Sequence, residues 1–280
     1  MDALKKLSSS MDGYSLNELR LVVALERAVA RLESHPKLSP HLIFKGGFVL
    51  LKTVDTPRFT RDVDVLALRI SRDAVPSLVT AALARDLDDA LWFGDVAIES
   101  LDTQGEYGGY RFNCAFQIGD PPDDDGKIKK LSRIHIDMGF GDPVAEMPKK
   151  EPMSAIFAES PPVTWSVYPL ENIFAEKLEA LFSRGSLNSR AKDVYDLPLI
   201  FSKCDAKSNI AGVVRHTFNH RRTAIPESFE TAARSLDLTT LRHAWRSVQL
   251  TGETRNFDEV WRQLLECLTA LDLANERAKL

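Results

Sequence analysis

The stretch 44–67, FKGGFVLLKTVDTPRFTRDVDVLA, constrains this chain more than any other. It joins two adjacent glycines, an apolar run and a segment in which acid alternates with valine. In a β-strand successive side chains point to opposite faces, so Asp62 and Asp64 project together while Val63 and Val65 enter a core. The two carboxylates then stand about 7 Å apart along the strand, a spacing that suits a divalent cation. Two solvated acids on an exposed strand face are the alternative, and the pair alone does not choose. Upstream, Gly46 and Gly47 let the backbone approach a ligand closely, and amides at a helix start attract phosphate. That helix is expected over 48–54; Pro57 ends it, and Arg58 and Thr60 fall in the turn before the strand.

A third carboxylate arrives later. In 133–138, Ile134 and Ile136 share one face while Arg133, His135 and Asp137 share the other, so Asp137 can join Asp62 and Asp64 across a sheet. Further strands are expected over 96–101 and 110–117, and helices over 74–87 and over 16–32, the last an amphipathic packing helix capped by Ser15. The loop 121–126, PPDDDG, reads as an exposed hairpin connection, because consecutive acids repel and point in different directions.

Beyond Pro161-Pro162 the composition turns helical, with helices expected over 170–182, 210–218, 239–248 and 257–273 and a domain division into 1–165 and 166–280. Between the first two of these helices Arg184, Arg190, Lys192, Asp193 and Asp196 read as a loop of basic side chains beside two acids. Such a loop is either an ion-paired surface or a triphosphate clamp. The densest basic cluster is Arg215, His216, His220, Arg221 and Arg222, which reads equally as an RNA-backbone contact or a solvated helix end. A net charge of -4 means that any nucleic-acid binding comes from such local patches. Three dispersed cysteines without CxxC spacing point to buried thiols of a reducing cytoplasm, and the missing signal-peptide and membrane-span patterns agree with a soluble, cytoplasmic protein.

Four elements occur in a telling order: Lys45-Gly46-Gly47; Arg58-Phe59-Thr60-Arg61-Asp62-Val63-Asp64; Ile136-Asp137 followed by Gly139-Phe140-Gly141-Asp142-Pro143; and Glu176-Lys177-Leu178 leading to Lys192-Asp193-Val194-Tyr195-Asp196-Leu197. Together, over about 42–199, they resemble the AbiEii/AbiGii (MenT-like) nucleotidyltransferase toxin family of toxin–antitoxin systems. The glycine pair followed by Asp-x-Asp is also similar to the wider polymerase-β-like signature. The resemblance implies an α+β fold: a polymerase-β-like core with a mixed β-sheet, plus a mainly helical C-terminal domain that closes the nucleotide pocket.

It also implies a chemistry, displacement at the α-phosphorus of a nucleoside triphosphate with Mg²⁺ or Mn²⁺ as cofactor. On that reading Asp62, Asp64 and Asp137 hold metal, and Asp137 is placed to help deprotonate the acceptor hydroxyl. Gly46 and Gly47 admit the triphosphate, Lys45 and Lys177 neutralise it, and Arg184 and Arg190 are further candidates. Asp193 and Asp196 lie in the family's Arg-Asp-x-x-Asp-Leu-like motif and are implied to matter for activity, although Lys192 replaces the usual Arg and loses its planar fork. Thr60 stands where the family commonly has Ser, a hydroxyl that some toxin systems phosphorylate. A phosphate there would repel nucleotide from Asp62 and Asp64. The implied acceptor is RNA, foremost the tRNA 3′ end, and the implied partner a cognate antitoxin. The other readings are an inactive nucleotide-binding regulatory module and transfer of a nucleoside monophosphate to a protein hydroxyl.

Overall fold

Ser15 starts the first helix: its hydroxyl accepts from the Glu18 amide at 3.2 Å while the Glu18 carboxylate accepts from the Ser15 amide at 2.8 Å, a capping box. In the computed structural model, which describes residues 13–101, 108–142, 144, 148–157, 160–184, 189–205 and 209–277, this helix, α1, runs Leu16–Ser34. The periodicity predicts one buried stripe, yet every residue from Leu21 to Leu32 is buried, including Glu26, Arg27 and Arg31. Buried charge is costly unless paired. Glu26 pairs with Lys52, Arg27 with Asp89, and Arg31 forks onto both oxygens of Asp89 at 2.7 and 2.8 Å.

Among the described residues seven strands form one mixed sheet: β1 Leu42–Lys45, β2 Asp62–Ala67, β3 Leu91–Ser100, β4 Gly109–Ile118, β5 Arg133–Phe140, β6 Lys149–Met153 and β7 Val163–Val167. Their order is β3-β4-β5-β2-β1-β7-β6; β2 runs parallel to β5 and β1 to β7, and the other neighbours are antiparallel. The expected strands 110–117 and 133–138 lie within β4 and β5, whereas β3 starts earlier than the expected 96–101 and ends at Ser100, with a bulge between Gly94 and Ala97. The acidic connection from β4 to β5 leaves Asp123 and Asp124 exposed before a single turn at Asp125–Ile128. Helices α2, Gly46–Thr53, and α3, Val75–Leu83, complete this part, and α1 packs against β2, β5, β7 and α3. The α3 helix ends earlier than its expected 87, ahead of Asp88 and Ala90, whose φ angles of 53° and 52° no helix accommodates.

The chain divides into two compact units: Met1–Asp55, Phe59–Asp142 and Pro148–Val167 form the first, and Thr56–Arg58, Pro143–Met147 and Tyr168–Leu280 the second. In the second, the described helices are α4 Leu170–Ser183, α5 Ala191–Lys203, α6 Ile210–His220, α7 Phe229–Arg234, α8 Thr239–Ala244 and α9 Phe257–Arg277. Residues 192–196 are therefore helical rather than looped. Ala191, Val194, Tyr195, Leu197 and Ile200 are buried at helical spacing, which outweighs the break suggested by Pro198. On α9 the expected stripe Val260, Leu264, Cys267, Leu268 and Leu271 is buried. Strand-like bonding at Arg58 and Leu250, with the Thr251 amide donating to the Pro57 carbonyl at 2.8 Å, ties segment 56–58 into this unit. No described helix is long and apolar enough to cross a membrane.

Candidate active site

Alternation sorts β2 as it does in the sequence. Val63 and Val65 are buried, while Asp62 and Asp64 are half-buried on the opposite face. Parallel pairing sets Asp62 beside His135 and Asp64 beside Asp137, and antiparallel pairing sets Lys45 beside Asp64 and Arg111 beside Asp137. One face of three neighbouring strands, β4, β5 and β2, thus carries all three predicted carboxylates.

Local structure explains the glycine at the start of α2. Gly46 has φ of +74°, and a Cβ placed on it would stand 1.8 Å from Asp64 Oδ2. Any side chain there would be strained and would displace the carboxylate. Gly47, next in the helix, is buried. Phe44 and Phe48 hold α2 down by packing on the ring of Trp165, with centroids 5.5 and 5.9 Å apart.

The face is electrostatically organised. Lys45 Nζ lies 2.5 Å from Asp142 Oδ2, His135 Nδ1 lies 3.5 Å from Asp62 Oδ1, and Arg111 donates through Nε and Nη2 to Asp137 Oδ1 and Oδ2 at 2.8 and 2.6 Å. Four carboxylates, Asp62, Asp64, Asp137 and Asp142, are thus grouped with the cations Lys45 and Arg111. Thr60 is buried, 6% exposed, and its hydroxyl accepts from the Asp62 amide at 3.4 Å. Among the described residues no three His, Cys, Asp or Glu side chains converge closely enough to hold a metal ion by themselves. Asp62 and Asp64 nonetheless fit a hard divalent cation, because Mg²⁺ is commonly held by one or two carboxylates together with substrate phosphates.

The remaining predicted residues gather in the second unit. Lys177 on α4 is buried, with its ammonium 2.6 Å from Asp193 Oδ1 and 2.8 Å from Asp196 Oδ2. Asp193 and Asp196 sit three residues apart, on one face of α5. Arg58 forks onto Asp196 at 2.7 and 2.9 Å, and Arg190 Nε reaches Asp193 Oδ2 at 2.6 Å. Burial works against charge on Lys177, but Asp193 and Asp196 outweigh it and hold the ammonium above its ordinary pKa. Burial likewise opposes ionisation of Asp196, and Arg58 and Lys177 overcome it, holding the carboxyl below the usual range. Arg58, Lys177 and Arg190 thus surround the two carboxylates of α5. Arg184 is apart from this cluster, exposed at the C-terminal end of α4. In the basic cluster on α6, Arg221 is spent on Glu179 at 2.9 Å and Glu176 at 3.5 Å.

Four participants were not assigned roles from sequence: Arg58, Asp142, His135 and Arg111. The first two lie inside the quoted motifs, and His135 shares a strand face with Asp137. Arg111 had only the alternation of β4 to reveal it. A cavity of about 810 Å³ in the first unit, bordered by Arg27, Leu83, Asp89, Phe93 and Ile118, contains none of the predicted residues.

Known proteins supply an independent comparison. Residues 27–266 match the family described as "Nucleotidyl transferase AbiEii toxin, Type IV TA system". The fold is similar to the crystal structure of JHP933 from Helicobacter pylori, at 17% identity, TM-score 0.57 and 94% coverage of both chains. It is also similar to an H. pylori protein provisionally assigned as a nucleotidyltransferase, at 16% identity, TM-score 0.57 and coverage of 96% of this chain and 99% of the other. No curated protein matches the chain at a significant level.

Proposed function

The chain belongs to the AbiEii nucleotidyl transferase toxin family of type IV toxin–antitoxin systems, and from that premise we propose that it transfers nucleotides from a nucleoside triphosphate to RNA, foremost the 3′ end of tRNA, and so blocks translation. The carrying observation is the sheet face on which Asp62 and Asp64 of β2 stand beside Asp137 of β5. Asp62 and Asp64 would hold the divalent cation, Mg²⁺ or Mn²⁺. When bound, such a cation stabilises charge on the phosphates and lowers the barrier to attack by a hydroxyl.

The chain's own residues have separate tasks. Gly46 keeps Asp64 in place by having no side chain, and Lys45 brings a positive charge to the same face. Lys177 is oriented by Asp193 and Asp196, and its ammonium is the kind of group that pairs with phosphate oxygens. In the reaction the acceptor hydroxyl oxygen bonds to the α-phosphorus, the bond to the β-phosphate bridging oxygen breaks, and pyrophosphate leaves while the hydroxyl proton passes to solvent. The family implies an antitoxin as partner.

The test is incubation with Mg²⁺, each labelled triphosphate in turn and total tRNA, followed by sequencing of RNA 3′ ends. Added 3′ nucleotides that vanish with Asp62→Asn support the reading. Label on protein alone would move the acceptor to a protein hydroxyl, and bound nucleotide without transfer to any acceptor would mark an inactive binding module.

A further inference from the structure

Arg111 grips a predicted metal ligand, Asp137, by a fork. Its position on β4 lies directly across the antiparallel ladder from Asp137, and both Asp137 oxygens accept from it. The pair is also open to solvent: the Arg111 side chain is 36% exposed and that of Asp137 21%, against 4% and 0% in the equally forked Arg58–Asp196 pair. Solvent competes with an open ion pair and leaves it a small net free energy, whereas a sealed one is expensive to break. Of the two forks, only the one at Asp137 is placed to exchange.

We propose that Arg111 is a resident counter-cation of the carboxylate face, holding Asp137 until a divalent cation at Asp62 and Asp64 displaces the guanidinium and gains Asp137 as a further ligand. This rests on the reading that Asp62 and Asp64 hold the cation. Direct pairing of Asp64 with Asp137 across the parallel ladder puts the released carboxylate beside the other two. Affinity for the cation is then the difference between what the metal and the guanidinium each gain from Asp137.

The test is Mn²⁺ titration of the full chain without nucleotide, read by the electron paramagnetic resonance signal of free Mn²⁺, with far-ultraviolet circular dichroism as the folding control. Arg111→Gln is expected to tighten binding by about threefold to a hundredfold, the range of coupling between contacting groups. The gain should disappear in the Arg111→Gln, Asp137→Asn double variant, which should bind like Asp137→Asn alone. Arg111→Lys keeps the charge and loses the fork, so it too should bind more tightly than the parent. A gain that persists undiminished without Asp137, or Arg111→Lys binding like the parent, would show that only the long-range field matters and would overturn the inference. No Mn²⁺ binding by the parent, or binding unaffected by Asp62→Asn, would overturn the cation reading of the face and the inference with it.

Discussion

At the scale of single residues, the face depends on one missing side chain. Gly46 combines a left-handed φ with an Asp64 carboxylate where its Cβ would be. Gly46→Ala is therefore expected to lower transfer about as far as Asp64→Asn does, at least about tenfold by analogy with loss of groups that orient metal ligands. Activity beside circular dichroism checks it, and a fully active Gly46→Ala would show that Asp64 tolerates displacement. The glycine pair was legible in the sequence as a place of close backbone approach, but what approaches Gly46 within the chain is an acid eighteen positions on, which only the β1–β2 pairing reveals. Asp62, Asp64 and Asp137 were legible because alternation with valine, isoleucine and methionine fixes their face. Arg111 was not, since an arginine on a strand face has no spacing that names its partner.

At the scale of elements, α4 and α5 are joined by a buried charge network. Removing one partner leaves the others buried and unpaired, so Asp196→Asn is expected to destabilise the protein by about 3–5 kcal/mol in urea denaturation. Its pH dependence follows from the directions of the shifts. Asp196 is depressed, so its stabilisation is present above its unfolded pKa of about 3.9 and is lost as pH falls through the lower folded value. Lys177 is raised, so its stabilisation is present below about 10.4 and is lost as pH rises through the higher folded value. Denaturation midpoints across pH should show both declines in the parent, with the acid-side one blunted in Asp196→Asn. The α5 helix escaped the sequence reading, which took its charged residues Lys192, Asp193 and Asp196 as a loop, although burial of Val194, Leu197 and Ile200 holds it helical. Strand β6, with Lys149, Lys150 and Pro152, lacks an alternating apolar pattern, and proline is tolerated there because β6 is an edge strand. Helix α1 was visible, but its burial on every side over 21–32 was not, since Asp89, the partner of Arg27 and Arg31, lies far away in sequence.

At the scale of the whole molecule, a net charge of -4 gives no hint of how charged side chains are grouped, acids with Lys45 and Arg111 on one sheet face and Lys177 with Asp193 and Asp196 in the second unit. Binding of cation and triphosphate to the folded chain alone should raise its melting temperature. At a hundred times the dissociation constant the gain is about 2.7 kcal/mol, or roughly 5–10 °C for a chain of this size. A thermal-shift titration should show that rise in the parent and lose it in Asp62→Asn. The four motifs made the family legible from sequence, and the match over 27–266 agrees; the pairings that organise each charge cluster were hidden because they join residues distant in the chain. The central claim, that the β2 carboxylates support nucleotidyl transfer to RNA, is met most directly by counting nucleotides added to RNA 3′ ends by the parent and by Asp62→Asn and Asp64→Asn. The account expects addition by the parent with Mg²⁺ and a loss of at least about tenfold in each variant. Undiminished addition by the folded variants would contradict it.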